Sequence, residues 1–282
     1  MTHRWELLRA LGAVADSPAA ARAVAGPLEL APVSDAEHTE AFVMNCPPYA
    51  SVYFGPDGAL GGEGADRAAG FWRALAITPP AEPDHLTALL ALYASLGEAA
   101  ADTGRPATAH ALTRSRLSLF REQLWPWLPA YLDAVTDLDL PVLATWAGLT
   151  RHAVAVELAA QPAWPALPLA LRAAPAETWT GPRLDGMAEV LTTPVRSGII
   201  LTRHRLAAGA GEAGVGHRIG ERRYTLRAML GQDPHATLAW AAAEAARWRD
   251  RHARRAAGDE VAGWWAARAA RTGACLRGLL AV

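Results

Sequence analysis

The segment Pro79–Pro83, which contains three prolines, sets the strongest local constraint on how this chain folds. Proline interrupts a helix that precedes it, but in the first turn of a new helix its missing N–H needs no partner. The pattern therefore predicts that a helix starts at Glu82 or Pro83, with Glu82, Asp84 and His85 in its first turn. The apolar residues that follow have helical spacing: Leu86, Leu89, Leu90, Tyr93 and Leu96.

The first turn of this predicted helix carries two carboxylates and an imidazole. Unpaired backbone N–H groups at a helix start favour negative charge and disfavour a protonated histidine. The segment is thus predicted to form an acidic cluster with a titratable imidazole at the mouth of an apolar helix. Acidic residues are also common helix caps. The local pattern leaves a binding site and a simple cap both open.

The composition predicts an all-α fold. Alanine and leucine dominate, β-branched residues are sparse outside short runs, and all 27 basic residues are arginine because the chain has no lysine. Residues that favour helices fill the segments with helical spacing. Of the 282 residues, 51% are hydrophobic, which is enough for a substantial core.

The chain contains only two cysteines, Cys46 and Cys275. This number argues against a disulfide framework and a cysteine-based zinc site, and it favours a reducing compartment. Glu6 and Arg9 interrupt the apolar residues at the N-terminus. No uninterrupted apolar stretch approaches the ~18 residues that suggest a membrane span. We therefore expect a cytoplasmic protein that is not inserted in a membrane.

Glu82-Pro83-Asp84-His85-Leu86, followed by a leucine-rich helix, resembles the signature of the TorD/DmsD/NarJ family, cytoplasmic chaperones dedicated to molybdenum-cofactor oxidoreductases. Further segments are similar to the family: Cys46–Tyr53, Asp66–Trp72 and Leu119–Pro129, the last ending in a Pro-Trp-x-Pro turn. The resemblance covers about residues 35–160. It implies a TorD-like helical bundle, here with a C-terminal helical extension, in a protein that is not an enzyme.

The resemblance also implies a partner, the catalytic subunit of a molybdopterin oxidoreductase, held as apo-protein or by its twin-arginine leader until its cofactor is inserted and export is allowed. Such a leader joins two arginines to an apolar stretch, so its receptor needs carboxylates beside an apolar groove. Asp84 and His85 are carried over from the family; Glu82 and Asp84 would meet the guanidinium groups, and His85 would orient them. We assign aromatic side chains to the apolar wall: Tyr49, Tyr53, Phe71, Trp72 and Tyr93.

The charge is distributed unevenly along the chain. Residues 1–141 hold 9 Arg against 17 Asp and Glu, a balance of −8, and residues 142–282 hold 18 Arg against 11 acids, a balance of +7. An acidic half that contains the motif suits a cationic peptide. Alternatively, the two halves pair with one another or form solvated faces.

We expect residues 1–282 to form a single all-α chaperone domain. Its family-like core spans about residues 35–160, and further helices are expected in residues 185–282. The proline-rich segment 161–184 between them is expected to be an extended crossing segment, because its prolines exclude a continuous helix. Gly209–Gly214 matches Gly-x-Gly-x-x-Gly, but it follows a helical segment, so we expect a flexible link between helices. Long loops permit a domain-swapped homodimer, and the sequence leaves monomer and dimer open.

Other site chemistries have weaker support. Glu82 and His85 have the Glu-x-x-His spacing of di-iron bundle proteins, but the chain has no second such motif, so we expect no metal and no other cofactor. The arginines between Arg247 and Arg255 are interleaved with Asp250 and predict a solvated helix face, not a nucleic-acid surface. The main competing hypothesis is a helical interaction scaffold unrelated to molybdoenzymes, in which the motif is only a helix cap. A small hydrolase or metal site that uses His85 ranks third.

Overall fold

The computed structural model describes residues 2–164, 166–175 and 184–281. These residues form sixteen α-helices, and π-helical segments continue two of them. The described part of the chain contains no β-strand; an isolated antiparallel bridge pairs Tyr49 with His85. The predicted all-α fold is confirmed.

The chain forms two compact units. Unit 1 comprises Met1–Ser51 and Leu60–Pro168, and unit 2 comprises Val52–Ala59 and Leu169–Val282. The single chaperone domain expected from the sequence stays a prediction. Most of the segment that resembles the family lies in unit 1.

The helices of unit 1 lie in the first part of the chain and end at Ala159. The short helix α4, Ala50–Phe54, contributes residues to both units. The other elements are α1 (Thr2–Ala13), α2 (Pro18–Ala25), α3 (Asp35–His38), π1 (Thr39–Asn45), α5 (Gly62–Ala74), α6 (Leu86–Asp102), α7 (Pro106–Leu119), π2 (Phe120–Leu124), α8 (Leu128–Thr136) and α9 (Pro141–Ala159).

Helix α6 is the centre of unit 1, and α1 packs along it. Two glycines permit this close approach. Gly12 of α1 accepts a hydrogen bond at its carbonyl from the Thr87 hydroxyl, 2.8 Å away, and a Cβ at Gly97 of α6 would overlap the Trp5 ring. Trp146 of α9 donates its indole N–H to the Leu11 carbonyl at 2.8 Å. These contacts fix the first, central and last helices of the unit to one another.

The central helix begins later than predicted. Helix α6 starts at Leu86 with His85 as its N-cap, so the expected start at Glu82 or Pro83 was wrong. Backbone pairing with a distant segment explains the difference: Ala50 donates its N–H to the Asp84 carbonyl at 3.1 Å, and Leu86 donates to the Pro48 carbonyl at 2.8 Å. The residues before Leu86 therefore form a loop that is held by tertiary contacts.

Unit 2 is built around the helices α15 and α16, which pack against each other. The elements of this unit are α10 (Leu169–Ala173), α11 (Leu184–Thr192), α12 (Pro194–Ser197), α13 (Arg203–Glu212), α14 (Arg222–Gln232), α15 (Pro234–Ala253) and α16 (Glu260–Leu280). Part of the predicted crossing segment, Pro165 and residues 176–183, lies outside the described residues.

Two glycines of unit 2, Gly198 and Gly209, lie where neighbouring residues leave no room for a side chain. Gly198 follows α12 with φ +76°, where a Cβ would collide with the backbone of α16. Gly209 and Gly211 lie inside α13, so the flexible link predicted at 209–214 was wrong for its first residues. Gly209 serves close packing and not a turn, because the Trp240 ring occupies the space where a side chain at this position would be.

Within the described residues, no helix is long and apolar enough to cross a bilayer.

Candidate functional site

The predicted site residues centre on the loop Pro79–His85, which we call the acidic loop. The segment 48–50 pairs with its C-terminal end through the Tyr49–His85 bridge. Trp72 of α5 donates its indole N–H to the Pro83 carbonyl at 3.1 Å. The backbone of the loop is thus held on two sides within unit 1.

Glu82 presents the exposed carboxylate of the acidic loop. The Tyr49 hydroxyl donates a hydrogen bond to Glu82 Oε1 at 2.8 Å. Burial and the neighbouring carboxylate of Glu82 raise the pKa of Tyr49 well above its ordinary value, so the phenol stays protonated and remains a donor. One oxygen of Glu82 is therefore oriented by Tyr49, and the group remains open to solvent.

Asp84 has different surroundings, because only 2% of it is exposed. Its Oδ2 accepts the backbone N–H of Ser51 at 2.9 Å, a contact between residues distant in the sequence. The carboxylate therefore links the acidic loop to the start of α4. This internal role differs from the direct contact with a partner expected from the sequence, and that contact stays a prediction.

His85 caps α6 with its imidazole. Nδ1 accepts the Thr87 N–H at 3.2 Å, which requires the tautomer with the proton on Nε2. The ring lies edge to face against Tyr49, with 4.7 Å between centroids. Burial lowers the pKa of His85, and the nearby carboxylates, Glu82 first among them, oppose this shift only in part. Nδ1 therefore acts as a helix cap, as one of the two hypotheses expects. Nε2 has no hydrogen-bond partner among the described residues.

The predicted aromatic wall is not a single surface. Phe71 and Trp72 are half-buried on α5, and Tyr49 lies beside the acidic loop. Phe71 lines a cavity of about 420 Å³ between α5 and α7. Tyr53 is 1% exposed and belongs to unit 2. The structure thus brings Tyr49 and Trp72 to the acidic loop, with Phe71 next to Trp72 on the same helix.

Tyr93 is fully buried in an ionic network that the sequence did not reveal. Its hydroxyl donates to Glu157 Oε2 at 2.6 Å. Arg4 forms a two-pronged ion pair with the same carboxylate, and Arg116 contacts it at 3.4 Å. Burial and the hydrogen bond to Glu157 raise the pKa of Tyr93. Tyr93 therefore joins α1, α6, α7 and α9 instead of facing a ligand.

No short-range sequence signal identifies this network, since Glu157 is 64 residues from Tyr93 and 153 from Arg4. A glutamate with 2% of its side chain exposed requires partners, because an unpaired buried charge is costly. A sequence pattern does not show which glutamate becomes buried. Through Arg116 the network also contacts α7, which buries only Leu119 of its own residues.

The acidic loop has no metal-site geometry. In the part of the chain that the structure describes, no group of three or more His, Cys, Asp or Glu side chains is arranged to hold a metal ion. What the loop offers chemically is a fixed acceptor at Glu82 and a donor at His85 Nε2, beside the rings of Tyr49 and Trp72.

Comparison with protein families gave one match in the part of the chain that contains this site. A family model described as "Nitrate reductase delta subunit" matches residues 6–133. Comparison with curated proteins and with solved structures gave no match. The matched segment includes the acidic loop and the helices that hold it, α5 and α6.

Proposed function

We propose that this chain is a NarJ/TorD-type chaperone of molybdoenzyme maturation, because its residues 6–133 match the family model described as nitrate reductase delta subunit. In this proposal it binds the catalytic subunit of a molybdopterin oxidoreductase. The bound form is the apo-protein or its twin-arginine leader, held until the cofactor is inserted and export is allowed. The chaperone acts in the cytoplasm, as a monomer or homodimer, without catalysing a reaction itself.

The observation that carries the leader proposal is the exposed Glu82 carboxylate, oriented by the Tyr49 hydroxyl at 2.8 Å. A carboxylate with one oxygen fixed and its surface open to solvent is suited to the planar fork of an arginine. His85 Nε2 lies in the same loop and supplies a donor for a peptide carbonyl. Tyr49 and Trp72 offer ring surface to the apolar part of the leader or to a guanidinium.

Asp84 and His85 act in this proposal as positioning residues. Asp84 fixes the acidic loop by accepting the Ser51 N–H, and the Nδ1 side of His85 sets where α6 begins. In this proposal the exposed Glu82, and not the buried Asp84, makes the first contact with the leader. Phe71 extends the apolar surface along α5, whereas the buried Tyr53 and Tyr93 contribute to packing.

The test is titration of the full-length protein with a synthetic twin-arginine leader peptide, monitored by calorimetry. Glu82→Gln keeps the size of the side chain and removes its charge, and we expect affinity about five- to tenfold weaker, which corresponds to about 1–1.4 kcal/mol. A peptide with two lysines in place of the arginines should bind wild type more weakly, because lysine lacks the bidentate fork.

Asp66→Asn is the matched control. Asp66 lies exposed on α5, and its removal changes the net charge by the same amount without touching the acidic loop. Equal affinity of Glu82→Gln and wild type would remove Glu82 from the leader site. If wild type does not bind the leader at all, the apo-protein arm is tested by co-purification with the client subunit. If neither the leader nor the client subunit binds, the competing hypothesis stands, in which the protein is an interaction scaffold and the motif is only a helix cap.

A further inference from the structure

The cavity between α5 and α7 has two chemically different walls. Phe71 and Ala74 of α5, with Leu75 directly after this helix, form an apolar wall. The α7 wall carries His110, Arg114, Ser115 and Ser118, together with Ala111. All the residues that line the cavity belong to unit 1 and lie within the described residues. We call this cavity the α5–α7 groove.

The polar groups of the α7 wall are free to donate hydrogen bonds to a ligand. The side chains of His110, Arg114, Ser115 and Ser118 have no hydrogen bond or ion pair among the described residues. Threonines elsewhere in unit 1 donate to the carbonyl four residues earlier, as Thr150 does to Trp146 at 2.9 Å. No carboxylate lines the groove, and α7 contains no acidic residue. The wall therefore favours a ligand that is rich in acceptors and negatively charged.

The spacing of these groups limits the size of the ligand. His110, Arg114 and Ser118 follow one another every four residues, so they form a row about 12 Å long at 1.5 Å per residue. Phe71 and Leu75 form a parallel apolar row of about 6 Å on the other wall. A single phosphate or carboxylate can bridge two neighbouring members of this row, but it cannot span the whole length of about 12 Å. An α-helix presents side chains at the same four-residue repeat, apolar on one stripe and acidic on the next.

We propose that the α5–α7 groove binds an acidic amphipathic helix from another polypeptide. The apolar residues of that helix pack on Phe71 and Leu75, and its carboxylates pair with Arg114 and accept hydrogen bonds from His110 and the two serines. The polar groups of this site differ in chemistry from those of the acidic loop, and the two proposed sites share Phe71 of α5. A twin-arginine segment would meet the cationic side chain of Arg114, which repels it.

The test uses the full-length protein and a capped 18-residue peptide with leucines on one helical stripe and glutamates on the neighbouring stripe. Fluorescence anisotropy measures its affinity beside that of a peptide with lysine in place of every glutamate. We expect the acidic peptide to bind and the basic one to bind at least about tenfold more weakly. Arg114→Glu should weaken the acidic peptide by about tenfold or more and improve the basic one.

Arg105→Glu is the matched control, because Arg105 lies exposed at the N-cap of α7 outside the groove lining and gives the same change of charge. Ala111→Phe fills the groove without changing charge and should also reduce binding, with circular dichroism showing that each variant is folded. Equal effects of the two arginine substitutions would overturn the proposal, as would equal binding of the two peptides or no binding. Displacement of the acidic peptide by inorganic phosphate, or preferential binding of phosphatidylglycerol vesicles, would point to a small anion or a lipid surface and would also overturn it.

Discussion

Glu82 and Asp84 are two residues apart in the chain, yet their carboxylates have different surroundings. Glu82 is exposed and bound by one tyrosine hydroxyl, and Asp84 is buried and bound by a backbone N–H. The acidic loop turns between them, so one side chain faces solvent and the next carboxylate faces the start of α4. A motif that looks like one acidic cluster thus separates into a contact group and a positioning group.

Replacement of Asp84 tests the positioning role. Asp84→Ala leaves the buried Ser51 N–H without an acceptor, so we expect a loss of about 1–3 kcal/mol in the free energy of unfolding, measured with urea. Asp84→Asn keeps an acceptor oxygen and should lose less. Asp66→Ala, at an exposed position, should change stability by less than about 0.5 kcal/mol. An Asp84→Ala protein as stable as wild type would show that the Ser51 contact contributes little.

The sequence predicted which of these residues lie together better than it predicted their surroundings. Glu82, Asp84, His85 and Tyr49 do meet, and Trp72 contacts the same loop through the Pro83 carbonyl. Whether Glu82 or Asp84 is exposed depends on which distant backbone segment pairs with the loop. The spacing of residues within the loop does not show this pairing. Tyr93 shows the same limit: the sequence assigned it to the apolar wall, and its burial depends on the distant partner Glu157.

At the scale of elements, helix bounds were predictable where local chemistry determines them. Ser34 and Glu37 form a capping box at the start of α3, and α9 begins with Pro141 in its first turn, two local signals that a sequence shows directly. The start of α6 was not predictable in this way, since bonds to residues 48–50 fix the backbone before Leu86. Gly209 of α13 likewise packs against the ring of Trp240, a contact with a distant residue that the Gly-x-Gly spacing does not show.

Helix α5 contains two glycines whose substitution should have opposite effects. A Cβ at Gly64 would approach the Ser51 Cα to 2.7 Å, whereas a Cβ at Gly70 meets nothing within 4 Å. Gly64→Ala should destabilise the protein by about 1–3 kcal/mol, because α5 must move away from the segment that holds Asp84. Gly70→Ala should be neutral or stabilise by up to about 1 kcal/mol through helix propensity.

Thermal and urea unfolding of the two α5 variants provide the measurement, and the same proteins can be titrated with the leader peptide. Gly64→Ala should weaken leader binding as well, since Ser51 positions the acidic loop through Asp84. Gly70→Ala should leave leader binding unchanged. Equal stability of both variants would mean that α5 does not press against Ser51 as the structure describes.

For the whole molecule, buried histidines make stability depend on pH in both units. Burial lowers the pKa of His38 and His85 in unit 1 and lowers the pKa of His252 in unit 2 to about 3. The surroundings of His252 suit the neutral ring: Nε2 lies 3.2 Å from the Gly198 carbonyl, and Nδ1 lies 3.1 Å from an Arg255 nitrogen. Protonation at Nδ1 would place two donors against each other.

The sign of the effect follows from these lowered pKa values. Above the ordinary histidine pKa of about 6.5 the ring is neutral in both the folded and unfolded states, so stability is unaffected. As pH falls below about 6.5, the unfolded chain binds a proton that the folded chain excludes. Each such histidine then costs about 1.4 kcal/mol per pH unit until its folded pKa is reached. Stability should therefore fall on acidification.

His252→Gln isolates the contribution of unit 2, because glutamine retains a donor for the Gly198 carbonyl but does not titrate. The variant should be less stable than wild type at pH 7.5, yet its stability should fall by about 2 kcal/mol less between pH 6.5 and pH 5. Hydrogen exchange of the α15 amides measures this opening free energy in the unit that contains His252. His235→Gln, at an exposed position in α15, is the control and should keep the acid dependence of wild type. If His252→Gln loses stability with acid as steeply as wild type, the buried imidazole is not the group that senses pH in this unit.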